Sequence, residues 1–80
     1  MNCYYDHFHA IYELDGIRTE IEGGLTSVHN EKIAEMKSGR RDKSITLEEF
    51  DQWANAFQCE NAKAWGMPEG ATIKSFWLAG

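Results

Sequence analysis

A chain of 80 residues, 42% hydrophobic and 26% charged, has the composition of one small folded domain near the lower size limit for a core without staples. Its net charge of −5 argues against a nucleic-acid binder held by phosphate contacts, and no apolar run approaches the length of a membrane span. Two cysteines, Cys3 and Cys59, are too few for a disulfide-stapled secreted scaffold, so both are expected as thiols, Cys59 packed and Cys3 near the surface.

The chain opens with MNCYYDHFH, which lacks the basic and apolar regions of a signal peptide, so the expected location is the cytoplasm. Residues 4–14 alternate: Tyr4, Asp6, Phe8, Ala10, Tyr12 and Leu14 share one face, and Tyr5, His7, His9, Ile11 and Glu13 the other. Asp15-Gly16 follows, and then IRTEIE. Asp-Gly between two strand-like runs predicts a type I′ hairpin, because both central residues of that turn need positive φ. A two-residue loop fixes the register, so Leu14 meets Ile17, Tyr12 meets Thr19 and Ala10 meets Ile21. On the reverse face Glu13 meets Arg18, Ile11 meets Glu20 and His9 meets Glu22. Slipping this pairing by one residue would destroy both the apolar match and the charge match.

Gly23-Gly24 is expected to end the second strand or to bulge it. HNEKIAEMKSG then predicts a short helix, with Asn30 or Ser27 as cap, Ile33 and Met36 inward and Gly39 as stop. GRRDKS reads as a solvated basic loop. Thr46 with Glu49 three residues on is a capping box, and Leu47, Phe50, Ala54 and Phe57 form an apolar stripe behind it, with Trp53 at its margin. Asn61, Ala64 and Trp65 extend the stripe until Gly66 and Pro68 stop it. MPEG is a turn, and Thr72 to Leu78 a last strand, with Trp77 expected on a core face beside Phe50 and Phe57. If this strand pairs with the first, the sheet is antiparallel in the order 2-1-3 with the helix over the Phe8, Tyr12 and Leu14 face. The expected fold is therefore α+β: one domain over residues 1–80, built as ββ(α)αβ.

Four constellations carry chemistry worth weighing. SGRRDKSITLEEF resembles an EF-hand loop in placing Ile45 eighth and Glu49 twelfth, but Ser38 stands first, Arg40 third and Lys43 sixth, where a glycine is needed. Calcium is not expected there, and Glu49 is read as the capping acid. His7 and His9 lie two apart on one face, with Glu22 opposite and Cys3 nearby, a donor set able to hold zinc; the plainer reading is a pair of surface histidines partnered by a carboxylate, and no cofactor is expected. Lys37, Arg40, Arg41 and Lys43 form a basic run able to touch phosphate, although a solvated run in an acidic protein is the plainer reading and direct nucleic-acid binding is not expected. No nucleophile elbow or glycine-rich phosphate loop is present, so catalysis is not expected.

The fourth constellation is the surface. Glu13, Glu20 and Glu22 on the hairpin, Glu48 and Asp51 on the main helix, and the large rings of Trp53 and Trp65 suit a protein-binding face, with aromatic anchors and charges that steer the encounter. In size, acidity and lack of a catalytic constellation the chain resembles the small inhibitors carried by phages and mobile elements, anti-CRISPR proteins among them. The likeness is one of kind and covers no motif. It implies a non-enzymatic inhibitor or adaptor whose acidic surface occupies a basic, nucleic-acid-binding surface of its target. The last strand lies at a sheet edge with Phe76, Trp77 and Leu78 running together, which predicts pairing with a second copy or with a strand of the target.

Overall fold

The hairpin forms as its turn chemistry dictates. In the computed structural model, which describes residues 4–80, Asp15 and Gly16 take φ of 53° and 77° and join β1 (His7–Leu14) to β2 (Ile17–Gly24). The cross-strand partners are those expected, from Leu14 with Ile17 to His9 with Glu22, and the pairing continues without a bulge to His7 with Gly24. Cys3 and its expected exposure lie outside the described residues. After β2 come α1 (Ser27–Arg41), α2 (Leu47–Ala64) and β3 (Thr72–Ala79), and the sheet runs β2-β1-β3, antiparallel throughout.

The strand ends at Gly24, as one of the two expectations had it, and Gly23 stays in the ladder without a bulge, for a packing reason. A Cβ at this position would collide with the Phe8 ring and the Trp65 ring, so the missing side chain lets the end of α2 lie against the sheet. Phe8 and Ala10 are fully buried beneath the helices with Leu25, and Tyr5, Ile21, Phe57, Phe76 and Leu78 pack around them. Burial is concentrated at this end of the sheet. Tyr12 and Leu14 are only half-buried, so the helical layer covers the Phe8 half of the expected face and leaves the hairpin tip open.

The first helix is longer than its sequence suggests and is capped differently. Thr26 is the N-cap: its hydroxyl accepts from the His29 amide, and Nδ1 of His29 accepts from the Thr26 amide at 3.0 Å, which makes a capping box with an imidazole in the place of the usual carboxylate. Asn30 instead clamps the chain ahead of β1. Its Oδ1 accepts from the Tyr5 amide at 2.7 Å and its Nδ2 donates to the Tyr5 carbonyl at 2.9 Å. Gly39 does not stop the helix. It is buried, and a Cβ there would strike the Ile45 side chain, so the glycine admits the returning chain and the helix runs on to an Asp42 cap. GRRDKS is thus not one loop: Arg40 and Arg41 belong to the last turn of α1, where cations suit the carbonyl end of the helix.

The main helix has both ends predicted by its sequence. Thr46 Oγ1 accepts from the Glu49 amide at 3.1 Å and Glu49 Oε1 from the Thr46 amide at 2.9 Å. At the other end Gly66, at φ 116°, donates to the Lys63 carbonyl, and Met67 donates to the Ala62 carbonyl at 2.9 Å. That is a Schellman motif, and its apolar partners Ala62 and Met67 are both buried. Leu47, expected in the apolar stripe, is 59% exposed because it sits in the first turn, beyond the sheet.

The last strand carries one extra residue. Ile11 pairs with Ser75 and Tyr12 with Ile73, which leaves Lys74 as a bulge. The bulge puts Ile73 in register with Phe76 and Leu78 on the helix side. Trp77 consequently falls on the outer face, opposite His9 and 42% exposed, and not on the core face expected for it.

Candidate docking groove and outer sheet face

Aromatic rings run in an unbroken series from the edge of α2 into the core. Phe50 meets Trp53 at 5.6 Å between centroids, Trp53 meets Phe57 at 5.2 Å, Phe57 meets Phe76 at 6.1 Å, and Phe76 stacks on Phe8 at 4.9 Å. Of these five only Phe8 is fully buried; the rest are half-covered. Phe50, Trp53, Phe57 and Phe76, with Trp77 and Leu78, line a groove of about 360 Å³ between α2 and β3, with Ile33 and Lys37 of α1 and Tyr5 at one side. The cause is the size of the chain. Two helices and three strands make two layers, and the stripe of α2 is wider than the sheet strip left for it to cover.

Lys37 is held at this groove. Its ammonium donates to the Tyr5 hydroxyl at 2.8 Å and lies 4.9 Å from the centroid of the same ring. Arg40 donates through Nη1 to the Ile45 carbonyl at 2.9 Å, where it ties α1 to the turn before α2. Arg41 and Lys43 are exposed, Lys43 at a positive φ of 66°. Two of the four residues of the basic run therefore have structural employment, and the run does not form one free patch.

The acidic residues divide between two faces. Glu48 and Asp51 are exposed on α2, without ion pairs among the described residues, on the same helix as Phe50 and Trp53. Glu13, Glu20 and Glu22 project from the opposite side of the sheet, where each has a partner. Glu13 pairs with Arg18 at 3.1 Å, Glu20 lies 3.5 Å from His9 and Glu22 lies 3.6 Å from His7. Strand twist shifts the histidine contacts diagonally, so His9, although opposite Glu22 in register, approaches Glu20. Trp65 is half-exposed but lies over Gly23 and Gly24 at the far end of α2, away from the groove. The expected acidic and aromatic surface is thus two surfaces. One is the solvent side of α2 with Glu48 and Asp51, turned away from Trp53 and the groove; the other is the paired carboxylates of the hairpin.

Glu49 cannot serve as a calcium ligand of the EF-hand kind here, because the residues that would form the first positions of that loop, 38–41, are helical. The Thr46 amide and hydroxyl hold its carboxyl below the usual range, and the Ser44 hydroxyl and amide do the same for Asp42. Among the described residues no helix is long and apolar enough to cross a membrane. No protein-family model, curated protein or solved structure matches this chain.

Proposed function

We propose that this chain is a non-enzymatic protein-binding module of the inhibitor or adaptor kind, acting in the cytoplasm, and that it seats an extended, largely apolar segment of a basic partner along β3 and the aromatic groove. The observation that carries this reading is the groove itself: half-covered aromatic carbon beside the unpaired edge of the sheet. Main-chain pairing to an edge supplies affinity that is indifferent to side chains, and pockets beside it supply selectivity. Apolar surface left uncovered on folding supplies the driving force. Among the described residues the only charged side chain lining the groove is Lys37, already bonded to Tyr5, and this mostly apolar lining supports a binding role. Net charge −5, with Glu48 and Asp51 exposed and without ion pairs among the described residues on the outer side of α2, favours a basic partner drawn in by long-range attraction, for which a nucleic-acid-handling protein is the natural class.

Affinity capture from lysate with the parent, Trp53→Ala, the pair Glu48→Lys with Asp51→Lys, and the pair Glu20→Lys with Glu22→Lys tests this directly. Recovery of the partner enriched by the parent should fall at least tenfold with Trp53→Ala and fall severalfold with the α2 charge reversal. The hairpin reversal should leave recovery unchanged. The opposite pattern, with recovery lost only on reversing Glu20 and Glu22, would move the binding face to the outer side of the sheet and overturn the groove.

A further inference from the structure

The geometry points to a divalent transition-metal site of the zinc class on the outer face of the sheet, formed by His7, His9 and Glu22. Its three ligands lie outside the docking groove, and Trp77, which stacks on His9, also reaches the edge of that groove. The two histidines sit at alternate positions of one strand, and Glu22 is the cross-strand partner of His9. One ligand atom from each residue falls within 4.8 Å of the other two. Zinc bonds to nitrogen and oxygen are about 2.0–2.2 Å long, so two ligand atoms around a tetrahedral ion sit about 3.3 Å apart. The Nε2 of His7 and an oxygen of Glu22 are 3.6 Å apart, too long for a hydrogen bond and close to that spacing. The remaining closure falls within reach of small side-chain rotations, most readily of Glu22, whose side chain is 58% exposed.

Neighbouring groups brace this set. The His7 and His9 rings meet edge to face at 4.9 Å, and His9 stacks on Trp77 at 5.1 Å, so both imidazoles have already lost much of their rotamer freedom. Among the described residues the Nδ1 of His9 is buried without a hydrogen-bond partner, a costly state for a polar atom, and an oxygen of Glu20 stands 3.5 Å from it. With His9 ligating through Nε2, a small approach of Glu20 lets Nδ1–H donate to that carboxylate. This is the arrangement by which carboxylates orient metal-bound histidines and raise their basicity. Two neutral imidazoles and one carboxylate leave a divalent ion one positive charge, which Glu20 offsets at longer range. Three protein ligands would leave a fourth, tetrahedral position for water. Bound there, the ion ties β1 to β2 and stabilises the folded hairpin in proportion to its occupancy.

The test uses chain purified without an affinity tag, with Cys3→Ser and Cys59→Ser to remove competing thiolates, stripped with chelator and titrated with zinc chloride by calorimetry. One equivalent should bind, the melting temperature should rise with zinc, and cobalt should give the visible absorption of a tetrahedral site. His7→Ala, His9→Ala and Glu22→Gln should each weaken binding at least tenfold. Glu22→Gln, at an exposed position, keeps the fold and makes this outcome readable even if a histidine variant unfolds. His29→Gln, which preserves the α1 capping box and removes the other imidazole of the chain, should leave the affinity unchanged. Absence of binding at 0.1 mM zinc, or equal affinity in the parent and Glu22→Gln, would overturn the site.

Discussion

Single residues fix how closely the layers of this small domain approach. Gly39 is the clearest case, because it lies inside a helix, where alanine is intrinsically preferred by about 1 kcal/mol. A Cβ there would meet three atoms of Ile45, its own Cβ among them at 3.1 Å, so the clash cannot be relieved by turning the tip of the side chain alone. Overpacking of this kind costs about 1–3 kcal/mol, which outweighs the gain in propensity. Gly39→Ala should therefore lower the urea midpoint, and adding Ile45→Ala should recover part of the loss that Gly39→Ala causes. Additive effects of the two substitutions would show that the glycine serves some other purpose. Asn30 acts at the same scale, holding both main-chain groups of Tyr5, and nothing in the pattern of helix residues announces it as a clamp.

At the scale of elements, the ends of α2 are set by local chemistry that also makes its start sensitive to acid. The carboxyl of Glu49 titrates lower in the folded chain than in the unfolded one, because the Thr46 amide and hydroxyl stabilise its charged form. A depressed folded pKa contributes stability that is present above the unfolded value and disappears as pH falls through the folded value. The glutamine variant keeps a capping acceptor but not the charge. Glu49→Gln should thus be less stable than the parent at neutral pH, with the difference closing below about pH 4, where an unperturbed glutamate protonates. A difference constant down to pH 2 in paired denaturation curves would contradict this assignment. Thr46→Ala removes the hydroxyl side of the box and should cost about 1 kcal/mol at neutral pH.

The hairpin register, the α2 caps and the sheet order were legible because each rests on a short-range signal: Asp15-Gly16, the Thr46 to Glu49 spacing, and the apolar alternation of β1. Three features were not. The α1 cap uses His29 where a carboxylate is usual, Gly39 imitates a helix stop, and the Lys74 bulge is hidden in a strand that is apolar on both faces. The histidine cluster could be found from alternation and the turn alone. The groove could not, since Phe50, Trp53 and Phe57 read as core, and only the shortage of a covering layer leaves them half-exposed.

The whole molecule is flat and open, measuring 41 × 26 × 15 Å, with a radius of gyration of 13.4 Å. A compact domain of this length is expected near about 11.6 Å. The difference reflects the projecting hairpin tip and the uncovered groove beside the sheet edge. That edge is partly blunted: the Lys74 bulge and its charge discourage symmetric pairing of β3 with a second copy, whereas Ser75 to Ala79 remain regular and available to a partner strand. The free chain should accordingly sediment at micromolar concentration as a 9.2 kDa species. The most direct measurement of docking at β3 is amide hydrogen exchange along Ser75 to Leu78, compared between the free chain and its captured complex. Outward-facing amides of this strand should exchange quickly in the free monomer and become protected in the complex, together with reduced exchange around Trp53. Unchanged exchange along Ser75 to Leu78 in a complex at full occupancy, or a free chain already dimeric and protected there, would contradict docking of a partner strand at this edge.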